Sequence, residues 1–405
     1  MRILLASIYP YAFLLLYLII PFDEYIRALP NILLGILVVV FPFIVRKEDF
    51  RKLVKKPTLL LLGFFIFLVL ISLLNGRLEE DFNILKKILI AVGLVLLYIP
   101  VQDFNKIDKA IMVSALAAMI FSLINVFLVN DISSFEITNP IDILLVDRLY
   151  LGLLSVLSIL ISYKSIRLGF HPNNQFYLVN IILNIGFIFI IGSKVALGIL
   201  CVLLLLRQFY GPKKKFRVLV SIGVLALVSI ISLSTNDNLI EKYIYGSESD
   251  LEAKYHEPSL HMDFRTIIWN CACDMAISEG SNIFGIGFKK TNKNLAACYD
   301  QTIEDSKTKV WFKENGFNTH NQFIDFYLSS GLIAFVLFIG VFLTLLIQYR
   351  KQFFPVALIV TILLFGMTES FFHRQIGAYY FGFVMIVLLS NNTLLQRSPE
   401  NAVET

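Results

Sequence analysis

The sequence predicts an all-α protein: a polytopic membrane helical bundle of about twelve transmembrane helices, with a large extracytoplasmic loop that contains amphipathic helices. Three observations predict this fold class. First, 57% of the 405 residues are hydrophobic and only 16% are charged, whereas soluble domains have about 25% charged residues. Second, apolar runs of about 15–22 residues, long enough to cross hydrocarbon as helices, recur from end to end. Third, the loops between the runs alternate in charge.

The apolar runs define the predicted spans in chain order. The first run, in MRILLASIYPYAFLLLYLII, is long for a signal peptide and has no obvious small-residue cleavage site, so we interpret it as an uncleaved span. The predicted spans cover about residues 3–20, 29–45, 58–74, 85–100, 107–129, 143–163, 176–192, 194–209, 217–233, 323–347, 354–369 and 375–390.

The charges of the loops predict the orientation. Five basic loops fall on one side of the membrane if the span count is right: 46–57, 102–109, 163–167, 207–217 and 349–352. Because cytoplasmic loops carry the excess of Lys and Arg, we expect both termini in the cytoplasm. The net charge of +5 therefore reflects membrane topology, and it does not indicate nucleic-acid binding.

One long insertion divides the chain into three parts. About nine spans (1–233) precede an extracytoplasmic loop domain (234–322), and about three spans with a short cytoplasmic tail follow (323–405). A connection of that length usually has a function or a fold of its own. Its stretch HMDFRTIIWNCACDMAIS has the apolar spacing of an amphipathic helix. Gly285 and Gly287, in SNIFGIGF, predict a turn in preference to a phosphate-binding loop.

The cysteines of the loop allow one disulfide in an oxidising compartment. Cys298 has two candidate partners, Cys271 and Cys273, and either pairing leaves one thiol. The Cys-x-Cys spacing is poor for zinc.

Cations on the predicted external face point to an anion. Each one alone has a structural explanation, such as snorkelling to lipid headgroups or pairing with a nearby carboxylate. Together they are unexpected, because positively charged residues are few on that side of a membrane protein. These residues are Arg148, Lys194, Arg265, His320 and Arg374.

The stretch NTHNQFIDFYLSSG carries the candidate catalytic histidine. Thr319 and Gln322 fit a capping box, which would make His320 the first helical residue of the tenth span. The positive end of a helix favours a neutral imidazole, which is able to accept a proton, and it also attracts phosphate-type anions. The alternative is that His320 is a membrane-interface residue, and that Asp325 and Gly331 serve helix structure and packing.

Several motifs in order resemble the O-antigen ligase and O-antigen polymerase family of membrane glycan transferases. The architecture resembles that family over most of the chain, and the motifs do so over about 140 residues. The motifs are Arg-x-x-x-Trp (Arg265, Trp269), G-x-G-F (Gly285, Gly287, Phe288), H-N-x-F with a later glycine (His320, Asn321, Phe323, Gly331), and a Gly-Ser-Lys turn (192–194) that resembles the family's Gly-Ser-Arg.

The resemblance implies a metal-independent, inverting glycosyl transfer without a cofactor, at the outer face of the inner membrane. The donor would be a glycan on a polyprenyl pyrophosphate such as undecaprenyl pyrophosphate. The acceptor would be a hydroxyl of the lipid A core in a ligase, or of another lipid-linked repeat in a polymerase.

The resemblance also implies roles for particular residues. His320 would activate the acceptor hydroxyl, and Arg148, Lys194 and Arg265 would bind the pyrophosphate. Lys194 stands where the family usually has arginine, and a lysine lacks the bidentate fork of a guanidinium. Supporting residues would be Asn321, Asp325 and Trp269.

Three other functions remain in view beside the ligase. A polymerase would join lipid-linked repeats. A polysaccharide transporter or flippase suits the number of spans, but the sequence has no internal repeat of the kind many transporters have. A cell-wall polymerase of the shape, elongation and division type would need an essential aspartate in the loop, for which Asp263 and Asp274 are the candidates.

Overall fold

The structure, a computed structural model, describes residues 2–23, 25–101, 104–132, 144–167, 171–210, 223, 264–278 and 283–390. Within these ranges all regular structure is helical, which confirms the predicted all-α class. The helices are α1 (Arg2–Ile19), α2 (Leu29–Ile44), α3 (Lys56–Leu74), α4 (Leu78–Tyr98), α5 (Phe104–Ile132), α6 (Arg148–Ser165), α7 (Pro172–Ile190), α8 (Lys194–Gln208), α9 (Phe264–Ser278), α10 (Phe288–Thr302), α11 (Ser306–Asn315), α12 (Gln322–Tyr349), α13 (Phe353–Gly366) and α14 (Gln375–Ser390).

Eleven of the predicted spans coincide with a helix, and the remaining one, at 217–233, lies outside the described residues apart from Gly223. By length and apolarity, five stretches qualify as membrane spans, and the total of about twelve stays a prediction. The five are Arg2–Phe22, Lys56–Leu74, Asn105–Val126, Pro172–Ile190 and Gln322–Tyr349.

The bundle is built around α6 and α14. Every residue from Tyr150 to Ser162 is buried, and so is every residue from Ile376 to Leu389. Polar contacts also join neighbouring helices in the interior. Asn180 Nδ2 on α7 donates to Ser158 Oγ at 2.9 Å, and to a second serine hydroxyl on α6. Hydrogen bonds of this kind hold helices together where lipid provides no hydrophobic drive for association.

Loops that the charge pattern assigned to one side meet at one end of the bundle. Lys164 Nζ lies 2.7 Å from Asp108 Oδ2, which joins the end of α6 to the start of α5. The hydroxyl of Tyr210 donates to the carbonyl oxygen of Arg350 at 3.2 Å. Because Arg207 Nε also donates to the hydroxyl of Tyr163, these contacts group four of the predicted cytoplasmic loops, while their cytoplasmic location stays a prediction.

Three amphipathic helices, α9 to α11, form a small layer with an apolar cluster of its own, to which α12 contributes Leu328. The predicted helix in HMDFRTIIWNCACDMAIS is present as α9. A disulfide between Cys271 and Cys298 joins α9 to α10, with their Cα atoms 5.9 Å apart. Cys273 is exposed and has no disulfide, so the structure selects one of the two pairings that the sequence left open.

This layer is attached to the bundle at a break in α12. Gly331 has φ 85° and ψ 179°, so the helical hydrogen-bond ladder stops there. The carbonyl oxygens that the break leaves free accept from the loop: Ile286 N donates to Leu328 O at 2.9 Å, and Gly287 N donates to Ser329 O at 2.8 Å. A Cβ on Gly331 would collide with the Ile283 carbonyl, so only glycine fits this position. The G-x-G motif is thus a turn, as predicted, and because it docks the layer on α12 we call it the docking turn.

Candidate active site

His320 lies just before α12, and the predicted capping box is wrong. The N-cap of α12 is Asn321, whose Oδ1 accepts from the amides of Phe323 at 3.0 Å and Ile324 at 3.2 Å. Thr319 does not cap the helix, because its hydroxyl donates to the Asn321 carbonyl and contacts Ser370 Oγ. His320 is therefore outside the helix, and a position in the first helical turn does not explain a role as a base.

The backbone of His320 is in a left-handed conformation that side chains rarely adopt. Its φ is 42°, and among the described residues it is the only non-glycine with a positive φ. The amide of His320 donates to Asn318 Oδ1 at 2.8 Å, which stabilises this tight turn. Strain of this kind is kept only where the surroundings enforce it, and it often marks a functional position.

The imidazole of His320 is paired with a carboxylate. Nδ1 of His320 lies 3.0 Å from Oε2 of Glu369, and the two side chains are 16% and 4% exposed. An ionised carboxylate only accepts hydrogen bonds, so in the neutral ring Nδ1 carries the proton. Nε2 is then the basic nitrogen, which is the tautomer that a general base requires.

Aromatic side chains surround the His320 ring. The rings of Phe264 and Phe317 each lie 5.6 Å from it, centroid to centroid. Trp269 Nε1 donates to the carbonyl of Thr319 at 3.1 Å, so α9 holds the backbone that carries the histidine. Arg265, beside Phe264, places its guanidinium 4.9 Å from the centre of the Phe264 ring. The structure therefore brings both Trp269 and Arg265 to the neighbourhood of His320.

The start of α12 is tied to the turn between α13 and α14. Asn321 Nδ2 donates to the carbonyl of Met367 at 3.1 Å, and Gln322 Oε1 accepts from the amide of Phe372 at 3.0 Å. A second histidine pair completes the attachment, because His373 Nε2 lies 3.0 Å from Oδ2 of the fully buried Asp325. We call residues 367–374 the α13–α14 turn.

The predicted pyrophosphate ligands Arg148 and Lys194 begin two adjacent helices. Both are exposed, and neither side chain has a hydrogen bond or ion pair with any residue that the structure describes. Gly152, one turn after Arg148, packs so closely on Ser193 that a Cβ would collide with the serine side chain. The two cations therefore start neighbouring helices at the same end of the bundle.

Arg374 links these helix starts to the histidine. Its Nη1 lies 3.1 Å from Oδ2 of Asp147, the residue before Arg148 and the N-cap of α6. Burial acts to lower the pKa of Arg374, but the charges of Asp147 and Glu369 and the Tyr150 phenol outweigh it and raise that pKa. The guanidinium is thus charged, and it lies within electrostatic range of the carboxylate that holds His320.

The site as predicted from the sequence is therefore only partly assembled by direct contact. Five of the seven predicted site residues belong to one contiguous region: His320, Asn321, Asp325, Trp269 and Arg265. The remaining two, Arg148 and Lys194, are connected to that region only through intermediate residues, in the part of the chain that the structure describes.

Sequence reasoning missed the partner of His320. Glu369 stands out in the sequence as a charge at the end of an apolar run, but nothing in the sequence relates it to a histidine 49 residues away. A concentration of polar residues in one predicted external turn, 368–375, is the signal that could have prompted the pairing. Of the two loop aspartates, Asp274 is exposed on α9, and Asp263 lies outside the described residues.

The chain matches a family model over part of its length. Residues 179–339 match the family model described as O-antigen ligase. The matched range contains Lys194, Arg265 and His320, whereas Arg148 and the α13–α14 turn lie outside it. No curated protein matches the chain.

Proposed function

We propose that the chain is a member of the O-antigen ligase family, whose model residues 179–339 match, and that it transfers a glycan from a polyprenyl-pyrophosphate donor to a sugar hydroxyl. The family match and the five helical stretches that are long and apolar enough to span a membrane support an O-antigen ligase- or polymerase-type membrane protein. The proposed acceptor is the lipid A core, and the proposed location of the reaction is the outer face of the inner membrane.

His320 is the proposed general base. Nε2 of His320 takes the proton of the acceptor hydroxyl as the oxygen attacks the anomeric carbon of the donor sugar. Glu369, 3.0 Å from Nδ1, keeps the ring in the required tautomer and stabilises the imidazolium that forms. General-base assistance of this kind is typically worth about 10²–10⁴ in rate.

The cations are the proposed ligands of the leaving group. As the new glycosidic bond forms, the bond from the anomeric carbon to the phosphate oxygen breaks, and the polyprenyl pyrophosphate leaves with the electron pair. Attack opposite the leaving group inverts the anomeric centre. Preorganised cations stabilise the developing negative charge, and Arg148 and Lys194 are exposed cations with no partner among the described residues. Arg265 is a further candidate, close to His320.

The observation that carries this proposal is the His320–Glu369 pair. A histidine kept in an unfavourable backbone conformation, with Nδ1 on a buried carboxylate, has the arrangement of a base and its orienting group. A flippase forms no covalent bond to its glycan, so it has no acceptor hydroxyl for such a base to activate. The proposal requires no metal. The cations stabilise the negative charge that develops on the leaving pyrophosphate, and His320 takes the proton that the acceptor hydroxyl loses.

The test is the fate of the glycan in a deletion strain that produces lipid-linked O-antigen. We expect donor-linked polymer to persist while long chains on lipid A disappear, and a plasmid copy to restore them. Gel analysis of lipopolysaccharide, together with a count of lipid-linked donor in each leaflet, reads this out. Long chains that persist on lipid A would contradict the ligase.

The same experiment separates the alternatives. A polymerase would leave a single repeat on the core, and a flippase would leave donor in the inner leaflet. We favour the ligase over the polymerase because the matched family model is described as a ligase.

A further inference from the structure

We infer that Arg374 is an additional ligand of the donor pyrophosphate, held by Asp147 before the donor binds and transferred to the phosphates when it does. This inference rests on the proposed function. It adds a binding residue that lies outside the matched family region, which ends at residue 339.

The position of Arg374 supports this role. On one side, its Nη1 contacts Asp147, the residue next to Arg148, at 3.1 Å. On the other side, it belongs to the α13–α14 turn, only five residues after Glu369, which binds His320. A pyrophosphate between the proposed base and the exposed cations of α6 and α8 would lie beside this guanidinium.

The pair with Asp147 is of the kind that exchanges readily. Its side chains are 51% and 30% exposed, and exposed ion pairs are worth only about 0–1 kcal/mol. A diphosphate carries more charge and more acceptor oxygens than one carboxylate, so it competes well for the guanidinium. The switch costs α6 nothing, because Asp147 caps the helix with its other oxygen, Oδ1, at 2.9 Å from the Leu149 amide.

A buried aromatic ring keeps the guanidinium in place during such an exchange. The guanidinium carbon of Arg374 lies 5.6 Å from the centre of the Tyr150 ring, and Tyr150 is fully buried. The attraction between a cation and the face of a ring does not depend on Asp147. Arg374 is therefore able to exchange the Asp147 carboxylate for a ligand while its guanidinium stays on the Tyr150 ring.

The chemistry of Lys194 gives the site a use for a guanidinium. Lysine offers a point charge, whereas arginine binds two phosphate oxygens at once with a planar fork. Lys194 begins α8, and Arg148 begins the neighbouring α6 at the same end of the bundle. Arg374, together with Arg148, would supply the directional contact that Lys194 lacks.

The experiment measures binding of farnesyl pyrophosphate to the purified full chain in lipid nanodiscs, with farnesyl monophosphate as the charge control. The variants are Arg374→Ala, Arg374→Lys, Asp147→Asn and Arg148→Ala. Asn is as good an N-cap as Asp, so Asp147→Asn removes the charge and keeps the cap. Lys313→Ala is the matched control, because it removes another exposed ion pair, at 2.8 Å from Asp300. Elution volume and unfolding temperature check the folding of each variant.

We expect Arg374→Ala to weaken binding of the pyrophosphate at least about tenfold, with Arg374→Lys in between, because each charged hydrogen bond contributes this order. Asp147→Asn should tighten binding, by up to about fivefold, since it frees the guanidinium. Lys313→Ala should have no effect.

Equal losses in Asp147→Asn and Arg374→Ala would overturn the inference, because a merely structural ion pair is damaged alike from either side. Unchanged binding in Arg374→Ala, with binding lost in Arg148→Ala, would overturn it too and leave the proposed function intact. If the wild-type protein binds farnesyl pyrophosphate no more tightly than farnesyl monophosphate, both the inference and the proposed donor class fail.

Discussion

The protein contains two histidine–carboxylate pairs with the same separation and different surroundings. His320 and Glu369 meet at 3.0 Å, and so do His373 and Asp325. The first pair joins His320, two residues before α12, to the α13–α14 turn, and the second pair joins Asp325, in the first turn of α12, to His373 in the same α13–α14 turn. They differ in which ring nitrogen faces the carboxylate, in backbone conformation and in burial.

The His320 pair is arranged to react. Nδ1 faces the carboxylate, so Nε2 is left as the basic nitrogen, and the backbone is in a conformation that costs energy. The His373 pair is arranged to hold. Its Nε2 faces a carboxylate with no solvent exposure, its amide donates to Ser370 O at 2.9 Å, and its carbonyl accepts from Lys87.

The difference shows how one pairing serves two purposes. The more buried pair, whose histidine is also hydrogen-bonded through its backbone, gives the turn its shape, while the pair beside it keeps one nitrogen available for chemistry. We therefore expect substitutions at the His373 pair to affect folding and substitutions at the His320 pair to affect transfer.

The largest effect is expected from Asp325→Ala. Removing Asp325 leaves the largely buried side chains of His373 and Gln322 without their hydrogen-bond acceptor, and a buried polar group left unpaired typically costs about 1–3 kcal/mol. The unfolding temperature and the monodisperse yield of the purified protein should both fall, whereas Asp325→Asn, which keeps a hydrogen-bond acceptor, should fall less. If Asp325→Ala unfolds at the same temperature as the wild type, the His373–Asp325 pair does not stabilise the fold, and the proposed difference between the two pairs is wrong.

A smaller effect, and one on activity, is expected from Glu369→Gln. The amide oxygen is still able to accept from Nδ1–H, but the imidazolium loses its opposite charge, so the transfer rate should fall at least about tenfold. Unfolding temperature should change less than in Asp325→Ala. Adding Glu369→Gln to a protein that already has His320→Gln should cost little more, because the two residues act as one unit. A further loss of the same size would contradict that.

The smallest effect is expected from Trp269→Phe. This change removes one hydrogen bond, to the Thr319 carbonyl, and such a bond contributes about 0.5–1.5 kcal/mol. We expect a loss of transfer of about threefold to tenfold, without effect on the His373 pair. Trp311→Phe is the control, since Trp311 packs on Phe317 but its indole has no hydrogen bond to any residue that the structure describes. Equal losses in both variants would show that ring volume matters and the hydrogen bond does not.

Much of the fold was predictable because it depends on local pattern. Apolar runs, the spacing in α9 and the two glycines of the docking turn are properties of short stretches, and the structure has a helix or turn at each one that lies within the described residues. The position of the cap was not predictable in this way. Thr319 and Asn321 are both good capping residues, and the choice depends on Ser370, which is 51 residues from Thr319 and occupies its hydroxyl.

The candidate site also has parts that the sequence could predict and parts that it could not. His320 was identifiable because it lies among polar residues at the N-terminal end of an apolar run. Its pairing with Glu369, the Asp147–Arg374 contact and the choice of Cys271 for the disulfide depend on how distant helices pack. A single sequence has no local signal for such contacts.

The most direct test of the central claim is the transfer rate of His320→Gln in reconstituted membranes, with lipid-linked O-antigen as donor and lipid A core as acceptor. We predict a fall of at least about 10²-fold, because the base is lost, with binding of farnesyl pyrophosphate unchanged. A folded His320→Gln protein that transfers within about threefold of the wild-type rate would contradict the account, since no mechanism that relies on this base survives it.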